Sequence, residues 1–318
     1  MQRYLVTGGC GFIGSHLCDA LRARGHAVRV LDNLSTGKRE YLPPDTELLI
    51  GDIADPAVMA QAVRDIDGCF HLAAIASVEL GVRDWLGTHR TNLTGAITVF
   101  DAIRTMPGAR RVPVVYASSA AVYGDASPPV AETTLCQPLS AYGADKLGCE
   151  LHARVAAHVH AIPTTGMRFF NVYGPRQDPA SPYSGVISIF CERIPRGAAI
   201  TIFGDGLQTR DFVHVGDVVA SLQAAMARQA SMTTATAEVF NICTGTPISV
   251  HDVVETIARL SGTVARIDRK PPRSGEIRHS FGAPGLARAV LGCSAGTNFS
   301  DGLASVLGWL REDHDRRQ

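Results

Sequence analysis

Three glycines spaced three residues apart lie near the start of the chain, and they constrain its fold more than any other feature. The segment Tyr4–Gly14 reads YLVTGGCGFIG, so an apolar run leads into Gly8, Gly11 and Gly14. Glycines at this spacing allow a tight turn and let backbone N–H groups approach a diphosphate, while the helix that begins at Phe12 adds positive partial charge. The segment therefore predicts a strand, a dinucleotide-binding loop and a helix.

A carboxylate at the end of the next apolar run indicates which dinucleotide binds. This run, Val28–Leu31, is followed by Asp32, 18 residues after Gly14. A carboxylate in this place can accept hydrogen bonds from both hydroxyls of the adenosine ribose, and it would repel the 2′-phosphate of NADP. The pattern predicts NAD as the cofactor, and the nearby Lys38 and Arg39 are the residues that would favour NADP.

Short apolar runs alternate with helix-length stretches through the first half of the chain. The runs are apolar throughout, which is typical of parallel strands buried on both faces. This pattern predicts an α/β fold with a Rossmann-type, doubly wound parallel sheet. The expected strands are Tyr4–Thr7, Ala27–Leu31, Leu48–Ile50, Cys69–Leu72, Val112–Tyr116 and Thr164–Phe169, and the expected helices are Phe12–Arg24, Ala57–Arg64, Trp85–Arg104 and Ala141–Val159.

Glycine and proline become frequent after residue 170, and the elements become shorter. We expect an NAD-binding domain at 1–170 and a smaller, sugar-nucleotide-binding α/β region at 171–318, with parts of 212–243 as candidates to return to the first sheet. The predicted elements of the second region are helices Val186–Arg196, Asp217–Ala227, Val250–Leu260 and Ser300–Arg311, and strands Ala199–Ile202 and Val239–Ile242.

The composition argues against several classes of function. Lys plus Arg and Asp plus Glu number 30 each in 318 residues, so the balanced charge gives no footprint for nucleic acid or an anionic membrane. No apolar run reaches the roughly 18 residues of a membrane span, and the first residues lack the apolar region of a signal peptide. The eight cysteines form no C-x-x-C pair, so we expect neither disulfides nor a metal site, and we expect a cytoplasmic protein.

A Tyr-x-x-x-Lys pair in the fourth helix suggests acid–base chemistry. Tyr142 and Lys146 lie one turn apart on the same helix face. An adjacent ammonium stabilises a phenolate, which can take a proton from a sugar hydroxyl while the carbon gives hydride to a nicotinamide. The strand before this helix ends in Ser118 and Ser119, and hydroxyls at the carboxyl end of a parallel strand face the ligand cleft.

These motifs together resemble those of the extended short-chain dehydrogenases/reductases, and most closely the UDP-hexose 4-epimerases. The resemblance rests on TGGxGFIGSH, DNLS, SSAAVYG, YxxxK, RFFNVYGP and RDFVHVxD, and it covers nearly the whole chain. It implies C4 epimerisation of a UDP-sugar through a transient 4-keto intermediate, with NAD kept through turnover. It also implies a homodimer in which Trp85–Arg104 and Ala141–Val159 form a helix bundle.

The resemblance also implies roles for individual residues. Ser119, Tyr142 and Lys146 would be the catalytic triad, and Asn92 would support the cofactor cleft. Asn171, Arg210 and Arg273 would contact the diphosphate of the substrate, for which arginine forks are suited. The expected cofactor-binding residues are Gly8, Gly11, Phe12, Ile13, Gly14, Asp32, Asn33, Asp52, Ile53, Leu72, Ala73, Ala74, Asn92, Tyr142, Lys146 and Phe169, and the expected substrate-binding residues are Ser118, Ser119, Asn171, Val186, Arg210, Arg273 and Ser280.

Neighbouring residues distinguish related reactions. Ala120 and Ala121 follow Ser119 where related 4,6-dehydratases carry an acid and a base, which argues against dehydration. In the family, a small residue at the position of Ser280 leaves room for a 2-acetamido group, so we expect UDP-N-acetylglucosamine as substrate and UDP-glucose beside it. Asp178 would repel the carboxylate of UDP-glucuronate. A UDP-glucuronate 4-epimerase and a nucleotide-sugar reductase remain the alternatives, and the intact Tyr–Lys pair disfavours a non-catalytic NAD sensor.

Overall fold

A seven-stranded, all-parallel sheet forms the centre of the molecule, with the strand order β10-β6-β5-β4-β1-β2-β3. The computed structural model describes residues 1–107, 111–181, 185–272 and 277–317. The strands of this sheet are β1 (Arg3–Thr7), β2 (Ala27–Asp32), β3 (Glu47–Ile50), β4 (Gly68–His71), β5 (Val114–Ser119), β6 (Thr164–Phe169) and β10 (Ala237–Ile242).

Helices cover both faces of the sheet, because alternate side chains of each strand point to opposite cores. Val6 and Val30 face a core shared with α1 and α8, whereas Leu5 and Leu31 face a core shared with α2, α5 and α6. The helices are α1 (Phe12–Ala23), α2 (Pro56–Ala62), α3 (Val78–Arg83), α4 (Trp85–His89), α5 (Gly95–Arg104), α6 (Ala141–His160), α7 (Val186–Arg193), α8 (Val215–Ser231), α9 (Val250–Ser261), α10 (Gly285–Leu291) and α11 (Phe299–Arg317).

The predicted doubly wound sheet is thus confirmed, and two elements differ in instructive ways. The fifth strand begins at Val114 instead of Val112, and it includes the two serines predicted at its end, where Ser119 still pairs with Phe169 of β6. The helix predicted over Trp85–Arg104 is present, but residues Arg90–Thr94 form a π-helical turn between α4 and α5. Such turns are rare and concentrate at functional sites.

The second region forms smaller sheets beside the carboxyl edge of the main sheet. Strand β9 (Thr209–His214) lies between β11 (Pro247–Ser249) and β13 (His279–Ser280) and also pairs with β7 (Asn171–Tyr173). A two-stranded sheet joins β8 (Ala199–Phe203) to β12 (Arg266–Lys270). The sequence pattern missed β12 because its RIDRK residues are exposed and mostly charged.

The buried Asp211 carboxylate joins three segments of this region. Its oxygens accept hydrogen bonds from the backbone N–H groups of Thr244, Gly245 and Gly282, at 2.7, 2.8 and 3.3 Å, and from the Thr244 hydroxyl. The first two of these residues follow β10 of the main sheet, and Gly282 follows β13. One carboxylate therefore fixes the second region onto the edge of the first. In the described part of the chain, no helix combines the length and apolar character required to cross a bilayer.

Candidate active site

A cleft of about 590 Å³ opens at the carboxyl edge of the main sheet. The strand order reverses direction between β1 and β4, and this is the place where open α/β sheets bind their ligands. Most of the predicted site residues line the cleft: Gly8, Gly11, Phe12, Ile13, Gly14, Asp32, Asn33, Asp52, Ile53, Leu72, Ala73, Ala74, Ser118, Ser119, Tyr142, Lys146, Phe169 and Asn171.

The glycine loop packs so closely against neighbouring backbone that Gly8 and Gly14 leave no room for a side chain. Gly8 has a φ of +70°, and a Cβ on it would lie 2.7 Å from the backbone nitrogen of Ala73. A Cβ on Gly14 would overlap the carbonyl oxygen of Gly8. The first turn of α1 therefore presents its unpaired N–H groups to an open space, which suits the diphosphate of NAD.

Two hydrogen bonds fix the carboxylate of Asp32 at the end of β2. The backbone N–H of Cys10 donates to Oδ2 at 3.0 Å, and that of Leu34 donates to Oδ1 at 2.9 Å. Each oxygen has a second lone pair, so the carboxylate can still accept the hydroxyls of a ribose. The residues present fit NAD at both its diphosphate and its adenosine ribose.

Asn92 supports a cleft-lining loop through hydrogen bonds to its backbone. It is buried in the π-helical turn, and its side-chain amide bonds both backbone groups of Ile75, accepting at 2.8 Å and donating at 3.1 Å. Ile75 belongs to the cleft-lining segment that follows β4. Asn92 thus holds the loop in place rather than lining the cleft itself, and the π-helical turn supplies the position from which it can do so.

Helix α6 carries the Tyr–Lys pair and is fixed firmly at its start. The Ser140 hydroxyl caps the helix by accepting from the backbone N–H of Gly143 at 3.1 Å. A Cβ on Gly143 would lie 2.6 Å from the carbonyl oxygen of Ala121, so glycine lets the helix approach the turn that follows Ser119. Close packing at this point brings α6 to the end of β5.

Lys146 and Ser119 meet Tyr142 in the cleft. The buried Lys146 ammonium donates to the carbonyl oxygen of Ala117 at 2.8 Å, and it lies 5.8 Å from the centre of the Tyr142 ring. The Ser119 hydroxyl accepts from the backbone N–H of Ala121 at 3.1 Å, which leaves its own proton free to be donated. The arrangement can hold a phenolate beside an ammonium and a hydroxyl donor.

Ser118 lies at the cleft, but its hydroxyl is engaged in a buried hydrogen bond instead of the predicted substrate contact. The hydroxyl donates to Glu150 Oε1 at 2.6 Å, and both oxygens of Glu150 accept from the Arg168 guanidinium at 2.8 and 2.7 Å. Arg168 also donates to the Tyr123 hydroxyl, which donates to Asn241. This buried network was not predicted, although Glu150 lies on the same helix face as Lys146, four residues further on.

Burial and charge oppose each other at Arg168. Removal from water would lower the pKa of the guanidinium, but the hydrogen bonds and charge of Glu150, with a contribution from Tyr123, raise the pKa well above its ordinary value. The side chains of Arg168 and Glu150 are each 6% exposed. The two side chains therefore form a buried ion pair, and Glu150 of this pair also accepts from Ser118, the neighbour of Ser119.

Four predicted substrate residues lie apart from this cleft or cannot be placed. Val186 begins α7 just beyond the cleft-lining Gly185, and Arg210 donates to its neighbour's carbonyl, Thr209, at 2.8 Å. Ser280 pairs in register with Arg210 and borders a small recess that Ala120 and Phe170 also line. Arg273 lies outside the described residues.

The Asp178 side chain does not present an uncompensated charge to a sugar. Its carboxylate lies 3.1 Å from the Lys38 ammonium across the cleft. Burial lowers the pKa of Lys38, but the hydrogen bond with Asp178 and the nearby Tyr41 outweigh it, so the pKa is raised. The electrostatic argument against UDP-glucuronate therefore loses its basis, because the two charges balance. Contacts of this kind between distant residues leave no local sequence signal.

Comparison with known proteins identifies the family. Residues 4–243 match the model of the NAD dependent epimerase/dehydratase family.

The chain belongs to this family.

Three relatives of this epimerase/dehydratase cover almost its full length. It is 34% identical to a putative UDP-glucose 4-epimerase of Methanocaldococcus jannaschii, over 98% of this chain and 99% of that protein. The crystal structure of UDP-glucose 4-epimerase from Thermotoga maritima with UDP-glucose has a TM-score of 0.91 and 34% identity, covering 98% and 99% of the two chains. The UDP-N-acetylglucosamine 4-epimerase of Methanobrevibacter ruminantium, in complex with UDP-N-acetylmuramic acid, has a TM-score of 0.90 and 31% identity, covering 98% and 99%.

The comparisons confirm the predicted membership of the extended short-chain dehydrogenases/reductases, in the group of the UDP-hexose 4-epimerases. This epimerase/dehydratase is an enzyme of the isomerase class, and NAD is its cofactor. The predicted Rossmann-type fold is confirmed by the match to the T. maritima structure, which covers 98% of this chain.

Proposed function

We propose that the protein interconverts the C4 epimers of a UDP-hexose, with UDP-N-acetylglucosamine as its preferred substrate and UDP-glucose as a second one. The observation that carries this proposal is the meeting of Ser119, Tyr142 and Lys146 in the NAD cleft, with two alanines directly after Ser119. This set can move a proton on and off a sugar hydroxyl, and it has no adjacent carboxylate to eliminate water.

The residues of the chain have distinct tasks in this reaction. The glycine loop and Asp32 would hold NAD, which would supply the acceptor for the C4 hydride and the donor for its return. Tyr142 takes the proton from O4 through its phenolate oxygen and gives it back to the 4-keto intermediate, while Ser119 donates a hydrogen bond to O4. Lys146, held by Ala117, stabilises the phenolate. The ketone must rotate about the diphosphate linkage between the two transfers, and no net oxidation results.

The choice of sugar rests on Ser280. It is a small, partly buried residue beside the recess that Ala120 and Phe170 line, and Ala120 directly follows Ser119. A 2-acetamido group needs more room than a hydroxyl, and the resemblance to the family implies that a small residue at the position of Ser280 leaves this room, whereas a tyrosine closes it. UDP-glucuronate is the alternative substrate to these two, because Lys38 balances the charge of Asp178.

Substitution of Ser280 by tyrosine should remove N-acetyl activity selectively. We expect turnover of UDP-N-acetylglucosamine to fall about ten- to a hundredfold, because the added ring overfills the recess, while turnover of UDP-glucose persists. The wild-type protein, Ser280→Tyr and the control Ser280→Ala are each incubated with UDP-N-acetylglucosamine, UDP-glucose and UDP-glucuronate, and the products are resolved by proton NMR.

Each result of this assay has a definite meaning. Formation of UDP-N-acetylgalactosamine by the wild-type protein and by Ser280→Ala, but not by Ser280→Tyr, supports the proposal. Conversion of UDP-glucuronate alone would keep the reaction and replace the substrate. Net consumption of NADH with a 4-keto sugar would instead establish a reductase.

We also propose that the protein is a homodimer whose two copies pack through α6 and the segment 78–104. Leu151, Val155 and Val159 follow one another at intervals of four on α6 and are 54%, 49% and 62% exposed. The neighbouring helices α3 and α4 expose Val82, Trp85 and Leu86. An apolar surface made from adjacent helices is what a helix bundle between two copies would cover. The eight free cysteines are consistent with a cytoplasmic location, which we propose as well.

Charge placed in this surface should break the dimer. We expect Val155→Asp to raise the dissociation constant at least about tenfold, because a carboxylate would be buried without a partner. Val264→Asp is the matched control, since Val264 is 87% exposed on a connection outside these helices. Sedimentation velocity over a dilution series measures the effect. Equal dissociation constants for the two variants would place the interface elsewhere.

A further inference from the structure

Residues 175–178, which we call the strap, cross from the second region to the NAD-binding half at the mouth of the cleft. The carbonyl oxygen of Pro175 accepts from His16 Nε2 at 2.9 Å, and the Arg176 guanidinium lies 2.7 Å from the Asp19 carboxylate. Both partners belong to α1, the helix that begins at the glycine loop. The first two residues of the strap are thus attached to the element that receives the diphosphate.

The other end of the strap reaches the loop that follows Asp32. Asp178 lies 3.1 Å from Lys38, and the side chains of this pair are 37% and 26% exposed. The Lys38 ammonium and the Arg176 guanidinium both lie over the Tyr41 ring, at 5.5 and 5.7 Å from its centre. The cleft is lined by all four of these residues, so the contacts join its two walls.

The strap keeps an unfavourable backbone conformation. Arg176 has a φ of +66°, in the left-handed region that non-glycine residues rarely occupy. Residues keep such conformations only where surrounding contacts impose them, and these cases concentrate at ligand clamps. Here the Asp19 and Tyr41 contacts of Arg176 and the Lys38 contact of Asp178 impose it.

We propose that the ion pair between Lys38 and Asp178 retains bound NAD by closing the strap over the cofactor cleft. Lys38 lies in a corner formed with Cys10 and Asp32, whose carboxylate is expected to bind the adenosine ribose. The Lys38 backbone N–H donates to the Cys10 carbonyl oxygen, and the Cys10 backbone N–H donates to the Asp32 carboxylate. The closed pair thus bridges the cleft beside this corner, where it would oppose the departure of NAD. Retention of NAD by this pair does not depend on the proposed function. The benefit of retention does rest on it, since a reaction without net oxidation needs no exchange of cofactor.

Release of NAD, measured without any sugar, tests the proposal. Protein loaded with radiolabelled NAD is chased with excess unlabelled NAD, and the retained label is followed after rapid desalting. We expect Asp178→Asn and Lys38→Met each to accelerate release about three- to tenfold. The double variant should release NAD no faster than Lys38→Met, because both substitutions remove the same interaction. Asp205→Asn, which removes an exposed carboxylate from its pair with Arg278, should release NAD at the wild-type rate.

Salt provides a second measurement. Rising ionic strength should accelerate release from the wild-type protein, since it weakens a partly exposed pair, and it should change release from Asp178→Asn much less. Wild-type release rates in both single variants, or additive effects in the double variant, would overturn the proposal. Neither outcome depends on epimerase activity, so the proposed function and the retention of NAD fail independently.

Discussion

Replacement of Tyr142 by phenylalanine should lower kcat for epimerisation by about 10²–10⁴-fold, the usual contribution of a positioned acid–base group. Phenylalanine keeps the ring beside Lys146 but removes the oxygen to which we assign proton transfer from the sugar hydroxyl. We expect bound NAD to be retained, because the glycine loop and Asp32 are untouched. Initial rates with UDP-N-acetylglucosamine, together with the NAD content of the purified variant, measure both effects.

Tyr4→Phe is the matched control for this variant. The Tyr4 hydroxyl donates to the Gln2 side chain near the start of β1, at the sheet edge opposite the cleft. It should turn over at the wild-type rate. A Tyr142→Phe protein with a kcat within a few-fold of wild type would refute the assignment of the proton transfer to Tyr142.

Removal of the Glu150 carboxylate should cause the largest loss of stability. We expect Glu150→Ala to lower the free energy of unfolding by about 3–5 kcal/mol, because it leaves the buried Arg168 guanidinium without its counter-charge. It also removes the acceptor of the Ser118 hydroxyl. Urea unfolding followed by circular dichroism gives the difference from the shift of the midpoint.

Two further variants separate burial from pairing. Glu192→Ala breaks the more exposed ion pair with Arg196 on the surface, and it should cost at most about 1 kcal/mol. Glu150→Met combined with Arg168→Met removes both charges and should recover much of the loss. If Glu150→Ala and Glu192→Ala cost the same, the buried pair does not carry the energy assigned to it.

Local patterns were enough to predict most of the fold and part of the site. The glycine spacing, the apolar strands and the Tyr-x-x-x-Lys interval are each contained in one short segment, and each reflects one periodicity or one turn. Strand β12 was not predicted, because an exposed edge strand carries no apolar pattern. The π-helical turn around Asn92 escaped because its residues have no composition that distinguishes them from an ordinary helix.

The contacts that were missed join segments far apart in the chain. Nothing near Asp178 predicts Lys38 as its partner, and nothing near Ser118 shows that its hydroxyl turns to Glu150 while its neighbour Ser119 faces the cleft. The alternation of a strand sets this difference, but which face meets α6 depends on the packing of the whole sheet. The prediction that Asp178 repels the carboxylate of UDP-glucuronate considered the charge of Asp178 without Lys38, which balances it.

Lys146 and Glu150 hold α6 to two consecutive residues of β5, Ala117 and Ser118, from successive turns of the helix. Tyr142, to which we assign the proton transfer, therefore belongs to a helix that is fixed to the sheet on two successive turns. Ser280 and Arg210 are carried by separate strands of the second region. Under the roles proposed for these residues, changes in the second region should alter which sugar is accepted, while the chemistry of the first region is kept.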